Sequence, residues 1–391
     1  MAALIGSFGI RNEKLSVEEK EATNLPLLET AHALSNDQPP PPDPPTINNP
    51  NTDEPKVSSQ EEGPTVKKVI EVNDVPVYLP NHLLMDDCNH FKCVIYERIG
   101  FDDLVGGTYL ATVHDKELVL RVEKTPARIV TQEFEFLKKI EATGEWLHFS
   151  QLHSAWQADG YAFYMVYHRG GPSFREVRDF MKNRTFSHGS AGRLMRDIFK
   201  CIHLVHKQNM LVRCMDSEMF HFDAASRNLF MSNLSTLRAD AGKKEWDVPV
   251  LWAGGLHYAP LQKDNIHARD DIEAWLYLFI ELVRGELPWS GKRTDEIQEI
   301  KASYSRDVSL VKGLPFVYTE LYQLVMALPN NSPYVPEVCY TEIEDFCTRI
   351  AEQVGGVKSL DDNLDFERDP NESELPRFIM EKIAQEAPKL D

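Results

Sequence analysis

The sequence predicts an α+β fold in which a small β-rich lobe precedes a larger helical lobe. Three observations lead there. Short runs of β character cluster from about residue 91 to residue 167. Runs at helical spacing dominate beyond a Gly170-Gly171-Pro172 break. One of those later runs, Asp271 to Arg284, is apolar on nearly every side and reads as a central buried helix. Strands first and helices later fit an α+β chain better than alternating βα units. Of the 391 residues, 42% are hydrophobic and 10% aromatic, which supplies a sizeable core and excludes a chain disordered throughout.

Taken in order, residues 36 to 55 read NDQPPPPDPPTINNPNTDEP, with proline at eight positions. Each proline fixes φ and removes an amide donor, so neither helix nor sheet is expected. With their polar, acidic flanks they make residues 1–85 an expected disordered tail. Residues 39–55 read as an extended spacer or as a docking segment for a polyproline-reading domain.

Strands are expected at Cys93 to Arg98, Gly107 to Val113 and Glu117 to Val122. In the last, Leu118, Leu120 and Val122 share one face and Val119 and Arg121 the other. A helix follows Pro126, with Val130, Phe134, Leu137 and Glu141 as its stripe, and then a strand, Tyr161 to Tyr167. Past the break, Leu194, Ile198, Ile202 and Val205 recur at helix spacing behind a cap at Ser190. The buried helix ends at Arg284, Gly285 and Pro288. The resulting division is a tail over 1–85, a small lobe over 90–168, a large lobe over 169–368 and a second tail over 369–391.

Charge narrows the partners. Lys plus Arg (42) against Asp plus Glu (61) gives a net charge of -19. Residues 1–85 hold 6 basic and 13 acidic side chains, a net of -7, which leaves -12 for the rest. No segment is basic enough for a nucleic-acid domain. The six cysteines form no C-x-x-C pair, which points to reduced thiols in an intracellular protein, in cytoplasm or nucleus. The longest apolar stretch, Trp275 to Val283, contains Glu281 and is too short for a membrane span.

The run Arg269-Asp270-Asp271-Ile272-Glu273-Ala274-Trp275-Leu276-Tyr277, continuing to Gly285-Glu286-Leu287-Pro288-Trp289, resembles the casein kinase 1 and tau-tubulin kinase group of protein kinases. Gly171-Pro172-Ser173-Phe174 is similar to the group's turn after the hinge, and Gly254 to Pro260 to the end of its activation segment. Leu314-Pro315 and Leu364-Asp365-Phe366-Glu367 are similar to landmarks in its last helices. The resemblance covers residues 90 to 367. It implies a two-lobed kinase fold binding ATP and magnesium between the lobes, with catalysis by positioning and charge neutralisation.

The same resemblance assigns site residues. The phosphate-covering loop falls between Gly100 and Gly106, where Asp102 and Asp103 replace the middle glycine and oppose phosphate. Arg121 stands for the phosphate-pairing lysine, Glu133 for its helix partner, and Val119 for the small residue above adenine. Two registers are open for the catalytic loop. One places Val212-Arg213-Cys214 at the His-Arg-Asp motif and Met219 at the metal-binding Asn. The other, preferred on spacing, uses His221-Phe222-Asp223 with Asn228, making Asp223 the base, Asn228 a magnesium ligand and Arg227 the substitute for a catalytic lysine, as in tyrosine kinases. The metal aspartate is then Asp240, with Ala253 as the competing placement. Asp271 matches the aspartate that holds the catalytic loop in either register.

These substitutions point to a weak kinase or a pseudokinase acting in signalling as a binding or scaffold module for a protein substrate or partner. The alternative is an active atypical kinase, Ser/Thr rather than Tyr, using Asp223, Asn228, Asp240 and Arg121.

Overall fold

The computed structural model describes residues 70–72, 75–85, 92–102, 106–125, 129–223, 225–239, 250–329, 334–359 and 362–367. The proline-rich stretch 39–55, Asp103, Asp240-Ala241-Gly242 and the tail 369–391 lie outside them.

The small lobe is a six-stranded antiparallel sheet. Its strands are β3 (His82–Met85), β4 (Lys92–Asp102), β5 (Gly106–Val113), β6 (Lys116–Lys124), β7 (Leu152–Ala158) and β8 (Tyr161–Tyr167), in the order β3-β4-β5-β6-β8-β7. Alternation works as expected on β6: Leu118, Leu120 and Val122 are buried on one face with Tyr109, Phe163 and Met165. Val119 faces the other way and packs against the main core. The expected tail boundary at residue 85 is too late. β1 (Ile70–Val72) and β2 (Val75–Val77) form a hairpin, and Val75, Val77 and Tyr78 are buried. The Tyr109 hydroxyl donates to the Pro76 carbonyl, which joins this hairpin to β5.

Helix α1 (Ile129–Thr143) lies against β6, β7 and β8. Its buried stripe is Val130, Glu133, Phe136, Leu137 and Ile140, so the expected stripe through Phe134 and Glu141 is about one residue out of phase. Both stripes carry one glutamate, and the buried one is Glu133, held by Arg121 and Tyr164, rather than Glu141.

The large lobe holds α2 (Phe174–Phe180), α3 (His188–Lys207), α4 (Ala268–Arg284), α5 (Thr294–Tyr304), α6 (Phe316–Met326) and α7 (Glu337–Arg349). Between α3 and α4 come β9 (Met210–Leu211), the hairpin β10 (Phe220–Asp223) and β11 (Asn228–Met231), and β12 (Arg238–Ala239), which pairs with β9. Ser187 caps α3, its hydroxyl accepting from the Ser190 amide. The expected cap, Ser190, instead sits buried in the first turn, where its hydroxyl accepts from the Asp365 amide. Helix α4 is buried from Ala268 to Leu282 and tied to α3 by Trp275 Nε1 donating to the Met195 carbonyl at 2.9 Å. It ends at Gly285, whose φ of +87° favours glycine. No helix among the described residues is long and apolar enough to cross a membrane.

Candidate functional site

Three groups of expected site residues occupy different elements. The first joins β6 to α1. Arg121 Nη2 pairs with Glu133 Oε1 at 2.8 Å, Arg121 Nη1 donates to Thr108 Oγ1 at 3.0 Å, and the Tyr164 hydroxyl donates to Glu133 Oε2 at 2.5 Å. Burial alone would neutralise Glu133. Burial wins in direction and raises the Glu133 pKa, with Arg121 and the Tyr164 donor opposing it in part, while the surrounding acidic groups raise the guanidinium's pKa against burial. Glu123, fully buried, accepts from the amides of Ile129 and Thr131, so β6 grips the start of α1 as well. Thr108, Tyr164 and Glu123 belong to no motif and were missed by sequence reasoning. Thr108 stands across from Arg121 through the register of β5 with β6, which alternation within one strand does not set.

The two glycines expected to flank a phosphate-covering loop differ. Gly100 faces open space apart from ordinary contact with Thr108. A Cβ on Gly106 would fall 1.8 Å from the Val122 carbonyl oxygen, so this glycine lets β5 approach β6.

The second group centres on Asp271 in α4, which is fully buried. Its two oxygens accept from the backbone amides of Val212 at 2.7 Å and Arg213 at 2.8 Å, and His206 Nε2 stands 3.0 Å from it. Arg213 takes φ +63°, a strained value for a residue with a side chain, which the aspartate over-determines. The Arg213 carbonyl accepts from Ala253 and Gly254, and Cys214 follows at once. A Cβ on Gly254 would lie 2.8 Å from Cys214 Sγ. Burial pushes the Cys214 thiol up to about 12. Met219 is buried, and its carbonyl accepts from both the amide and the hydroxyl of Ser232.

The third group is the β10–β11 hairpin. Asp223 and Asn228 are strand partners at its closed end. Asp223 accepts from Arg169 at 2.6 Å, from the Ser226 hydroxyl at 2.7 Å and from the Ala225 amide at 3.0 Å. Half-burial works against its charge, but these donors hold the carboxyl below the usual carboxylate range. Arg227 makes a two-pronged contact with Glu367, at 2.8 and 2.5 Å. These residues are thus engaged in closing a hairpin and anchoring residues 362–367. Among the described residues no cluster of His, Cys, Asp and Glu could hold a metal ion.

The segment 250–261 is fastened from several sides. Lys301 donates to the carbonyls of Leu256 at 2.8 Å and Ala259 at 2.6 Å, His257 pairs with Glu281 at 2.8 Å, and Glu273 accepts from Leu261 at 2.8 Å. Glu281 also binds Arg178 at 2.6 Å and the Tyr258 hydroxyl. Gly171 and Ser173 of the expected hinge turn start α2: the Ser173 hydroxyl and the Glu176 side chain cap each other's amides.

This arrangement has counterparts among known proteins. Vaccinia-related kinase 3 superposes with a TM-score of 0.58 at 14% identity, covering 72% of this chain and 94% of that one. The architecture is therefore a protein-kinase-like fold. In sequence, the chain is 23% identical over 222 residues to the piRNA biogenesis factor prde-1 of Caenorhabditis elegans, covering 50% of this chain and 42% of that protein. It is 25% identical over 253 residues to a probable serine/threonine-protein kinase of Dictyostelium discoideum, covering 61% and 50%. It is 22% identical over 247 residues to the serine/threonine-protein kinase spe-6 of C. elegans, covering 58% and 63%. The chain spans about half the length of the curated relatives it matches. No family model matches it.

Proposed function

We propose that this protein is a pseudokinase of the casein kinase 1 and tau-tubulin kinase-like group, acting as a protein-binding or scaffold module in signalling. One observation carries the reading: Asp271 holds the amides of Val212 and Arg213. The resemblance makes Asp271 the aspartate that grips the catalytic loop, so the loop is Val212 to Met219. Cys214 then stands where a base is needed and Met219 where a magnesium ligand is needed. A neutral thiol is a poor base near pH 7, and a thioether does not suit magnesium, which takes oxygen ligands. The residues present do not fit the metal. Asp223, Arg227 and Asn228, preferred on spacing alone, lie in the hairpin that follows this loop.

The Arg121–Glu133 pair would hold the small-lobe sheet to α1 with or without phosphotransfer. Both Nη atoms of Arg121 have partners within the protein, leaving it less to offer a triphosphate. The competing reading is an active atypical Ser/Thr kinase with Asp223 as base and Asn228 and Asp240 on magnesium.

The test is phosphate transfer from labelled ATP with magnesium to a generic acidic protein substrate, alongside an Asp223→Asn variant. Transfer no greater than that variant's, with no magnesium-dependent thermal stabilisation by ATP, is expected. Magnesium-dependent transfer lost in Asp223→Asn would establish the active alternative.

A further inference from the structure

Where the C-terminal end of α3 meets β9, the start of α4 and the segment leading into α7, the large lobe has a cavity of about 180 Å³. Met210, Ala268, Tyr334, Val335 and Tyr340 are among its walls. We propose that this cavity receives the apolar stripe of the chain's own residues 375–387, with Ile379 and Ile383 as its anchors.

The walls call for an apolar occupant, because their titratable groups already answer one another. Lys207 pairs with Glu337 at 3.3 Å. His203 stands 3.1 Å from Glu337 and 3.4 Å from Glu344, and its ring stacks on Tyr340 with centroids 4.2 Å apart. His206 lies between Asp271 at 3.0 Å and the Tyr340 hydroxyl at 2.8 Å. A charged side chain entering here would give up water against groups that are already paired, whereas an apolar one meets Met210, Ala268 and Val335. The mouth is apolar as well. Tyr334 is 59% exposed there, and Val338, in the first turn of α7, is 59% exposed.

The occupant is read from the sequence. The described residues stop at Glu367, and residues 368–391 continue the chain. Ile379, Met380, Ile383, Ala384 and Ala387 recur at i, i+1, i+4, i+5 and i+8, which is the spacing of one helical stripe, with Arg377, Glu381, Lys382, Gln385 and Glu386 off it. Pro376 and Pro388 bound the run. Such a stripe needs a surface to cover it.

Reach allows this one. The chain departs from the far end of α3, where the amide and hydroxyl of Ser187 donate to Asp365 at 2.7 and 2.9 Å and Arg227 holds Glu367. The 20 residues of α3 span about 30 Å. Residues 368–378, drawn out, cover up to about 36 Å, so Ile379 is within range of the cavity. The tether favours this segment over a second copy, since a short linker gives an effective concentration on the order of mM. A cavity between α3 and the end of α7, walled by Arg193, Arg196, Glu352 and Lys358, suits an apolar stripe less.

The test uses the full chain with p-benzoylphenylalanine, a photoreactive apolar residue, in place of Ile379. Light- and heavy-isotope forms are mixed, irradiated and mapped by mass spectrometry. Cross-links within one molecule to residues 203–210 or 334–340 are expected. Links to other parts of the same molecule, links joining light to heavy protein, or no links overturn the proposal. Hydrogen exchange gives a second readout: the amides of 379–387 should exchange at least about tenfold faster in Ile379→Asp/Ile383→Asp and in Tyr334→Asp than in wild type. The tail variant touches none of the core residues, and Tyr334 is exposed, so both keep the fold. Equal exchange in all three proteins, or protection lost in the tail variant and kept in Tyr334→Asp, overturns the proposal. Neither ATP nor a partner protein enters either arm, so failure here leaves the pseudokinase reading standing.

Discussion

At the scale of single residues, the junction of β6 with α1 is a set of side chains whose charges answer one another. Glu133 is 1% exposed and depends on Arg121 and Tyr164. Removing one partner of such a pair leaves a buried charge alone, whereas replacing both with apolar groups removes the problem. Arg121→Met should therefore lower stability by about 3 to 5 kcal/mol, read as a shift of the urea midpoint. Adding Glu133→Leu should recover most of that loss, and fully additive losses would show that the pair is not coupled. Sequence reasoning reached Arg121 and Glu133 through the family resemblance, with β alternation fixing the face of Arg121, whereas helix spacing alone placed Phe134 and Glu141 on the stripe and passed over Glu133. It preferred Asp223 to Cys214 because His221-Phe222-Asp223 with Asn228 keeps the H-x-D-x-x-x-x-N spacing, and the contact of Asp271 with the amides of Val212 and Arg213, which bears on the other register, is tertiary. No spacing rule carries that information.

At the scale of elements, α5 holds the 250–261 segment through one side chain. Lys301, 1% exposed, donates to two carbonyls and stands 5.0 Å from the ring centroids of both Tyr277 and Trp289. Desolvation pushes its pKa down to about 7, below the 10.5 of a free lysine. Between those values the unfolded chain binds the proton and the folded chain does not, so stability rises with pH across that window. The penalty is fully present below about pH 7. The stability of wild type minus that of Lys301→Met should accordingly increase from pH 7 to pH 9, by up to about 1.4 kcal/mol per pH unit. A flat difference in chemical denaturation series would show that the ammonium stays charged on its two carbonyls. Elements with a clean period were legible: β8 runs from Tyr161 to Tyr167 as expected, and α4 overlaps its expectation up to Arg284. β7 was not, because Leu152–Ala158 is an edge strand, half-buried to exposed, with polar residues at 153, 154 and 157. The short β9 and β12 are set by pairing between distant segments, which leaves no local pattern.

At the scale of the molecule, the strand that leaves the small sheet must be fixed to the large lobe, and Arg169 does much of this. Just past β8, it donates to the carbonyls of Leu147 at 2.9 Å and Phe149 at 3.0 Å and to Asp223 at 2.6 Å, and it stacks over Phe230 at 4.1 Å. One guanidinium thus binds the connection after α1, the exit of the sheet and the β10–β11 hairpin. Its side chain is 13% exposed and that of Asp223 20%, so solvent screens the pair only in part. Arg169→Ala should cost about 3 kcal/mol, the upper range for a hydrogen bond to a charged group, and should raise amide exchange at 147–149 and 220–231 above that in α3. The pH dependence has a definite sign. Asp223 titrates lower in the folded chain than in the unfolded one, so its pairing contributes above its unfolded pKa of about 3.9 and fades as pH falls through the lower folded value. The difference between wild type and Arg169→Ala should hence be full at pH 7 and shrink as acid protonates Asp223. A difference that persists unchanged at pH 2 would mean that the carbonyl bonds and the Phe230 stack, rather than the ion pair, join the two lobes.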